Sequence, residues 1–140
     1  MKSPVPHWTD SRFKSFVTSA IRGAFGRFPN KFAALKNAAM GKKVNKKTGR
    51  EAMHYRCADC RAQFVGKDVH VDHIEPVVEP EVGFVSWDEY IRRMFCTEDN
   101  LQVLCGTCHS KKTAEERSRR CKVTPKKKPT TTTRSRRSKT

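Results

Sequence analysis

The residue pattern predicts an α+β protein, one small domain with tails, in which short strands and helices are held by a metal rather than by a large apolar core. Three observations carry that prediction. Two Cys-x-x-Cys pairs, Cys57/Cys60 and Cys105/Cys108, are separated by a stretch long enough to fold back on itself. Two runs, Val69 to Ile74 and Asn100 to Leu104, alternate apolar and polar residues with the period of a strand. Two segments near the N-terminus repeat apolar residues every three or four positions, the period of a helix.

Taken in order, residues 1–10 are expected to be irregular, because Pro4 and Pro6 block regular pairing. Asp10 or Ser11 caps a helix running to about Ile21, with Phe13, Phe16, Val17 and Ala20 on one face and Gly23 and Gly26 breaking it. Pro29-Asn30 opens a second helix carrying Phe32, Leu35 and Ala39 and ending at Gly41, and the aromatic residues of both helices are expected in the core. Lys42 to Arg50 reads as a basic linker with a Thr48-Gly49 turn, by default a solvated charge run and otherwise a loop that touches DNA. Tyr55 to Phe64 forms a hairpin tip around the first cysteine pair, and Val69 to Ile74 forms a strand ended by Pro76. Adjacent residues of a strand face opposite ways, so a site using both Asp72 and His73 requires the strand to bend or finish there.

Beyond Pro76, Ser86-Trp87-Asp88-Glu89 has the pattern of a capping box, followed by Trp87, Tyr90, Ile91 and Met94 at helical spacing, all expected to pack inward. Asn100 to Leu104 is the second strand, and a last helix starts at Thr107. Ala114 is nearly the only hydrophobe of that helix before Arg120, so thiolate bonds through Cys105 and Cys108 must dock it. From Lys122 the chain is rich in Pro, Thr and Lys/Arg, with too little apolar surface to offset the entropy of ordering. The organisation is therefore a basic helical extension over residues 1–50, a metal-bearing domain over 51–120 and a disordered basic tail over 121–140.

The two cysteine pairs supply four soft ligands, the number a tetrahedral structural zinc takes, and two intervening residues let both sulfurs of a pair reach one ion. Six cysteines in 140 residues could instead build a secreted disulfide scaffold. Against that, Met1-Lys2-Ser3-Pro4 leads into no apolar run of signal-peptide length, and no segment reaches the roughly 20 apolar residues that span a bilayer. An intracellular, reduced zinc protein without a membrane partner is the expectation.

The net charge of +16 is uneven. Residues 1–50 hold 12 basic side chains against one acid, residues 51–110 hold 5 against 11, and residues 111–140 hold 13 against 2. An acidic centre suits the gathering of cations, and basic arms on both sides suit a phosphate polymer.

Between those arms, Asp72-His73-Ile74, then Asn100, then His109 within Cys105-Gly-Thr-Cys108-His109-Ser-Lys-Lys112-Thr113 resembles the HNH endonucleases with a zinc-binding frame, a group of the ββα-metal class. The resemblance covers roughly residues 52 to 120, about half of the chain, and the N-terminal portion and the insert Phe84 to Tyr90 resemble phage-encoded members more loosely. It implies a zinc-stapled ββα-metal core and metal-dependent hydrolysis of DNA phosphodiester bonds. It also implies a role for each motif residue. His73 would be the general base, since an imidazole ordinarily titrating near about 6.5 is a neutral acceptor at pH 7. Asp72 and His109 would hold a catalytic Mg²⁺ or Mn²⁺, and Asn100 would brace the loop that orients the base. His70, Lys112 and Thr113 are candidates for contact with the nucleic-acid backbone. Relatives in phages act beside the DNA-packaging motor, which by analogy makes packaging proteins candidate partners. Two rivals stand beside this reading: a non-catalytic zinc-knuckle DNA-binding module, and an RNA-acting protein.

Overall fold

The computed structural model describes residues 1–123, and the expected disordered tail lies outside the described residues except for its first three positions, which end the last helix. Helix α1 (Asp10–Phe25) starts on Thr9, whose hydroxyl accepts the Arg12 amide at 3.2 Å. It runs a full turn past the expected end, through Gly23 to a cap at Gly26. A glycine inside a helix costs only about 1 kcal/mol, which contacts of the last turn offset. Arg22 Nε donates to the Tyr90 hydroxyl at 3.2 Å, and the Phe25 ring lies 4.8 Å from that of His73.

Helix α2 (Pro29–Asn37) begins with its proline at the first turn and buries Ala34. The aromatic residues expected in the core behave otherwise, since Phe16 and Phe32 stay 57% and 53% exposed and α1 has no buried residue. The small protein has too little interior to cover both faces of two short helices.

Helix α2 stops four residues before Gly41 because the chain turns into strand β1 (Ala39–Val44). What reads as the end of a helix and a basic linker is a hairpin. Strand β1 pairs antiparallel with β2 (Glu51–Arg56), which pairs in turn with β3 (Gln63–Val65), giving the order β1-β2-β3. Gly41 adopts φ 95° at a register shift in β1, a left-handed position suited to glycine. The division drawn at residue 50 thus falls within the β1–β2 hairpin.

A second, two-stranded sheet holds β4 (Val69–His73) against β5 (Leu101–Cys105), with Asp72 opposite Gln102 and His73 opposite Leu101. Between these strands, α3 (Trp87–Met94) is capped by Ser86, whose hydroxyl accepts the Glu89 amide at 3.2 Å. The reciprocal half of the capping box is not used: the Glu89 carboxylate binds Arg92 and Arg93 instead, at 2.7 and 2.6 Å. Tyr90 and Met94 are buried as expected, whereas Ile91 is 44% exposed. Helix α4 (Gly106–Val123) follows β5 directly. The described residues form an α+β fold of four helices and two small antiparallel sheets. Among the described residues, no helix is long and apolar enough to cross a membrane.

The turn between β2 and β3 carries the one non-glycine residue at positive φ among those described, Arg61 at 63°. Its amide donates to Cys57 O at 3.1 Å, which closes the turn around the first cysteine pair. A left-handed L-residue costs about 1–2 kcal/mol, partly offset on replacement by the greater unfolded-state freedom of glycine. Because the Arg61 side chain is exposed, Arg61→Gly should stabilise the fold by about 0.5–1 kcal/mol. Urea unfolding with metal held constant checks this, and an unchanged or lower midpoint would show that the turn carries no such strain.

Candidate metal centre and cleft

The β2–β3 turn brings Cys57 and Cys60 toward the junction of β5 and α4, where Cys105 ends the strand and Cys108 sits in the first turn of the helix. The four sulfurs all lie within 4.8 Å of one another. Cys60 Sγ and Cys105 Sγ are 3.9 Å apart, far beyond a disulfide bond and close to the edge of about 3.8 Å expected for sulfurs on a tetrahedral zinc. Backbone amides point at the sulfurs: Cys105 N donates to Cys57 Sγ at 3.3 Å and Cys108 N to Cys105 Sγ at 3.5 Å. A further bond, Ala58 N to Val103 O at 2.8 Å, ties the turn to β5.

Ionisation within the cluster is divided. Burial pushes the Cys57 thiol up, but amides of Cys105, Cys60 and Asp59 outweigh it and lower the group to about 6. The Cys108 thiol is driven up, chiefly by its hydrogen bond with Cys105 and by burial. Four thiolates this close repel one another unless a cation lies among them, so the donor set fits a metal ion such as zinc. Among the described residues it is also the one group of three or more His, Cys, Asp and Glu side chains gathered in this way.

A second constellation borders a cleft of about 1170 Å³ between β4, α4 and the last turn of α1. Successive residues of β4 point to opposite sides. On one side, His70 stacks on His109 with ring centroids 4.9 Å apart, and Asp72 Oδ1 lies 4.0 Å from His109 Nε2. On the other, His73 is 9% exposed, packed on Phe25, with Nε2 at 2.9 Å from Met94 O. A carbonyl oxygen only accepts, so Nε2 carries the proton and Nδ1 is left as an acceptor. Asp72, His73 and His109 nevertheless line the same cleft, because β4 finishes at His73 and the cleft wraps around its end.

Asn100 holds the chain that leaves His73. Its carbonyl accepts the Ile74 amide at 2.8 Å, and its side-chain oxygen accepts the Glu75 amide at 2.9 Å. The Lys112 ammonium binds Asp72 Oδ2 at 2.5 Å and the His73 carbonyl. The Asp72 carboxylate draws the cation in, and Glu116 Oε1 at 3.3 Å adds a second negative charge. That oxygen is buried and in charge contact without a hydrogen bond of good geometry. Thr113 is exposed and donates its hydroxyl to His109 O at 3.0 Å.

Among the cleft residues that escaped the sequence reading are Glu116, Arg22 and Phe25. Glu116 is four residues beyond Lys112 and seven beyond His109, so helical periodicity could have found it. Arg22 and Phe25 arrive from α1 by tertiary packing and leave no local signal. No protein-family model, curated protein or solved structure matches the chain.

The sulfur cluster predicts that folding and metal binding are one event. The purified chain should carry one thiophilic metal ion, and a strong chelator should abolish its cooperative unfolding transition. Cys57→Ser should do the same, while Cys96→Ser, outside the cluster, should retain both metal and transition. Elemental analysis with circular dichroism checks this, and a folded chain without metal would contradict it.

Proposed function

We propose that the chain is a metal-dependent DNA endonuclease of the HNH type, with β4, β5 and α4 as its ββα-metal core and zinc on the four cysteines. The observation that carries this reading is the cleft itself. An imidazole, His73, whose Nε2 is held by Met94 O, borders it together with a carboxylate–imidazole pair, Asp72 and His109, 4.0 Å apart. A single oxygen and a single nitrogen ligand leave most positions of a divalent ion to water and phosphate, which suits Mg²⁺ or Mn²⁺.

Asp72 and His109 would hold that ion, which supplies positive charge to the leaving oxygen and a phosphate oxygen when bound. His73 takes the proton of the attacking water at Nδ1, while its Nε2–H bond to Met94 O keeps the ring from rotating. Asn100 fixes the backbone just after His73 through Ile74 and Glu75. Lys112 balances Asp72 before the ion arrives and can turn to Glu116, 3.3 Å away, once the carboxylate is engaged. His70 supports His109 by stacking, and Thr113 lies on the open side of the same helix.

The second reading is a DNA-binding module without catalysis. It draws on Lys112, whose ammonium already neutralises Asp72 and would make a metal unnecessary there. An RNA substrate is a further alternative, since basic arms attract either polymer.

Plasmid cleavage across a Mg²⁺ or Mn²⁺ titration separates these readings. His73→Ala should lower the rate by about 10²–10⁴-fold with fold, zinc content and DNA affinity retained, and added metal should not restore it. His109→Ala should also lose activity but recover part of it at high metal concentration. If His73→Ala cuts as fast as wild type, this cleft is not a nuclease site and the binding-module reading replaces it.

A further inference from the structure

Ion pairs engage three of the Lys and Arg side chains in the described part of the molecule. Arg92, Arg93 and Lys112 are paired with Glu89, Glu79, Asp72 and Glu116. Lys42, Lys46, Lys47 and Arg50 form no ion pair among the described residues and all are exposed. These four lie on the outer half of the β1–β2 hairpin. Strand β3 pairs only with His54, Tyr55 and Arg56, so the ribbon from residue 42 to 53 has no third strand. That ribbon carries five basic residues, including Lys43, against one acid, Glu51.

The ribbon is also built to hold its shape. Asn45, 9% exposed, anchors the turn: its amide donates to Arg50 O at 2.8 Å, its carbonyl accepts Gly49 N at 2.8 Å, and its side chain accepts Lys47 N at 3.0 Å. Gly49 takes φ 70°, which a side chain would oppose. Beside the turn lies an open groove of about 1010 Å³ lined by Val44, His54, Phe64 and the lysines 43, 46 and 47. It shares no residue with the catalytic cleft. Like charges crowded on a fixed turn repel one another, and a polyanion relieves that repulsion at little ordering cost.

We propose that the outer β1–β2 hairpin is a second contact for duplex DNA, gripping phosphates through Lys42, Lys46, Lys47 and Arg50 away from the cleft. A two-stranded ribbon fits a major groove about 12 Å wide. Residues 42–53 contain no Phe, Tyr or Trp, so stacking of single-stranded bases would fall to Phe64 in the adjoining groove rather than to the ribbon itself. The inference rests on the nucleic-acid reading above and on none of its cleavage chemistry.

The test is binding of the full chain to a short labelled DNA duplex, by fluorescence anisotropy across a salt titration. The variant carries Lys42→Gln, Lys46→Gln, Lys47→Gln and Arg50→Gln. Each phosphate contact contributes about 0.9 to the slope of log affinity against log salt, so the slope should fall by about 2–3 and affinity by at least roughly tenfold at 0.15 M salt. Replacing the three lysines by arginine should preserve both, and metal content and circular dichroism should stay unchanged. Should the quadruple variant misfold, the four single substitutions serve, each expected to reduce the slope by about 0.5–0.9. A variant that binds duplex with wild-type slope and affinity overturns the hairpin contact while leaving the nuclease reading intact. A larger loss for single-stranded DNA or RNA than for duplex overturns the assignment to duplex. A wild-type chain that binds no DNA at any salt overturns both.

Discussion

Four sulfur atoms drawn within 4.8 Å of one another are what the rest of this molecule depends on. They join a turn of one sheet to the end of the other sheet and to the start of the last helix. Cys57 is fully buried with Leu104, Cys105, Cys108 and the flank of Phe64 around it, and the other buried apolar side chains among the described residues are Ala34, Val65, Val69, Tyr90, Met94, Leu101 and Val103. That is a small apolar store for a chain of this length. A metal held by these thiolates would replace apolar area with a few strong bonds, enough to dock α4, which has few hydrophobes of its own. The left-handed Arg61 belongs to the same economy, since strain in one turn is tolerated where the surroundings over-determine its shape.

The sheet made by β4 and β5 turns this anchor into a cleft. Because Cys105 ends β5 and Val69 begins β4 opposite it, the sulfur cluster fixes one end of the ladder, and His73 opposite Leu101 fixes the other. The alternation of β4 then divides the labour: His70 and Asp72 meet α4, while His73 is wedged against Phe25 and Met94 O. Burial of the His73 ring would be expensive if its N–H had no partner, and the Met94 carbonyl provides one. The opposite side is polar and charged, with Lys112 between two carboxylates. A cation at this place is thus favoured by the field of the protein itself, whether ammonium or metal.

Charge is handled differently in different parts of the chain. Around α3, hydrogen bonds from Arg92 and Arg93 hold the Glu89 carboxyl down to about 2, so it stays ionised from neutral pH far into acid. Arg92 keeps 71% of its side chain exposed, and Arg93 and Glu89 keep 31% and 30%, so these ion pairs order the surface of the insert more than they stabilise the fold. On the β1–β2 hairpin no such compensation exists among the described residues, and the lysines keep their full field. Pairing where the chain must pack, and leaving cations uncompensated where it projects, gives the basic N-terminal half a surface suited to phosphate.

The sequence by itself determined which four cysteines form the cluster that could hold a metal, since two Cys-x-x-Cys pairs have few other uses at this spacing and needed no tertiary information to be identified. It also determined the α+β class, the strands at Val69 and Asn100 to within a residue, and the Ser86 cap, because each rests on local periodicity or a local hydrogen bond. Tertiary structure decided the rest. Residues 42–50 look like a linker until β2 supplies the partner strand, since the hydrogen bonds of a strand are not local. Gly23 looks like a helix stop until Arg22 and Phe25 find α3 and His73. Lys112 looks like a free surface cation until folding brings Asp72, 40 residues away, to 2.5 Å from its ammonium. In each case the deciding interaction joins residues far apart in the chain, and only the folded geometry states which of them meet.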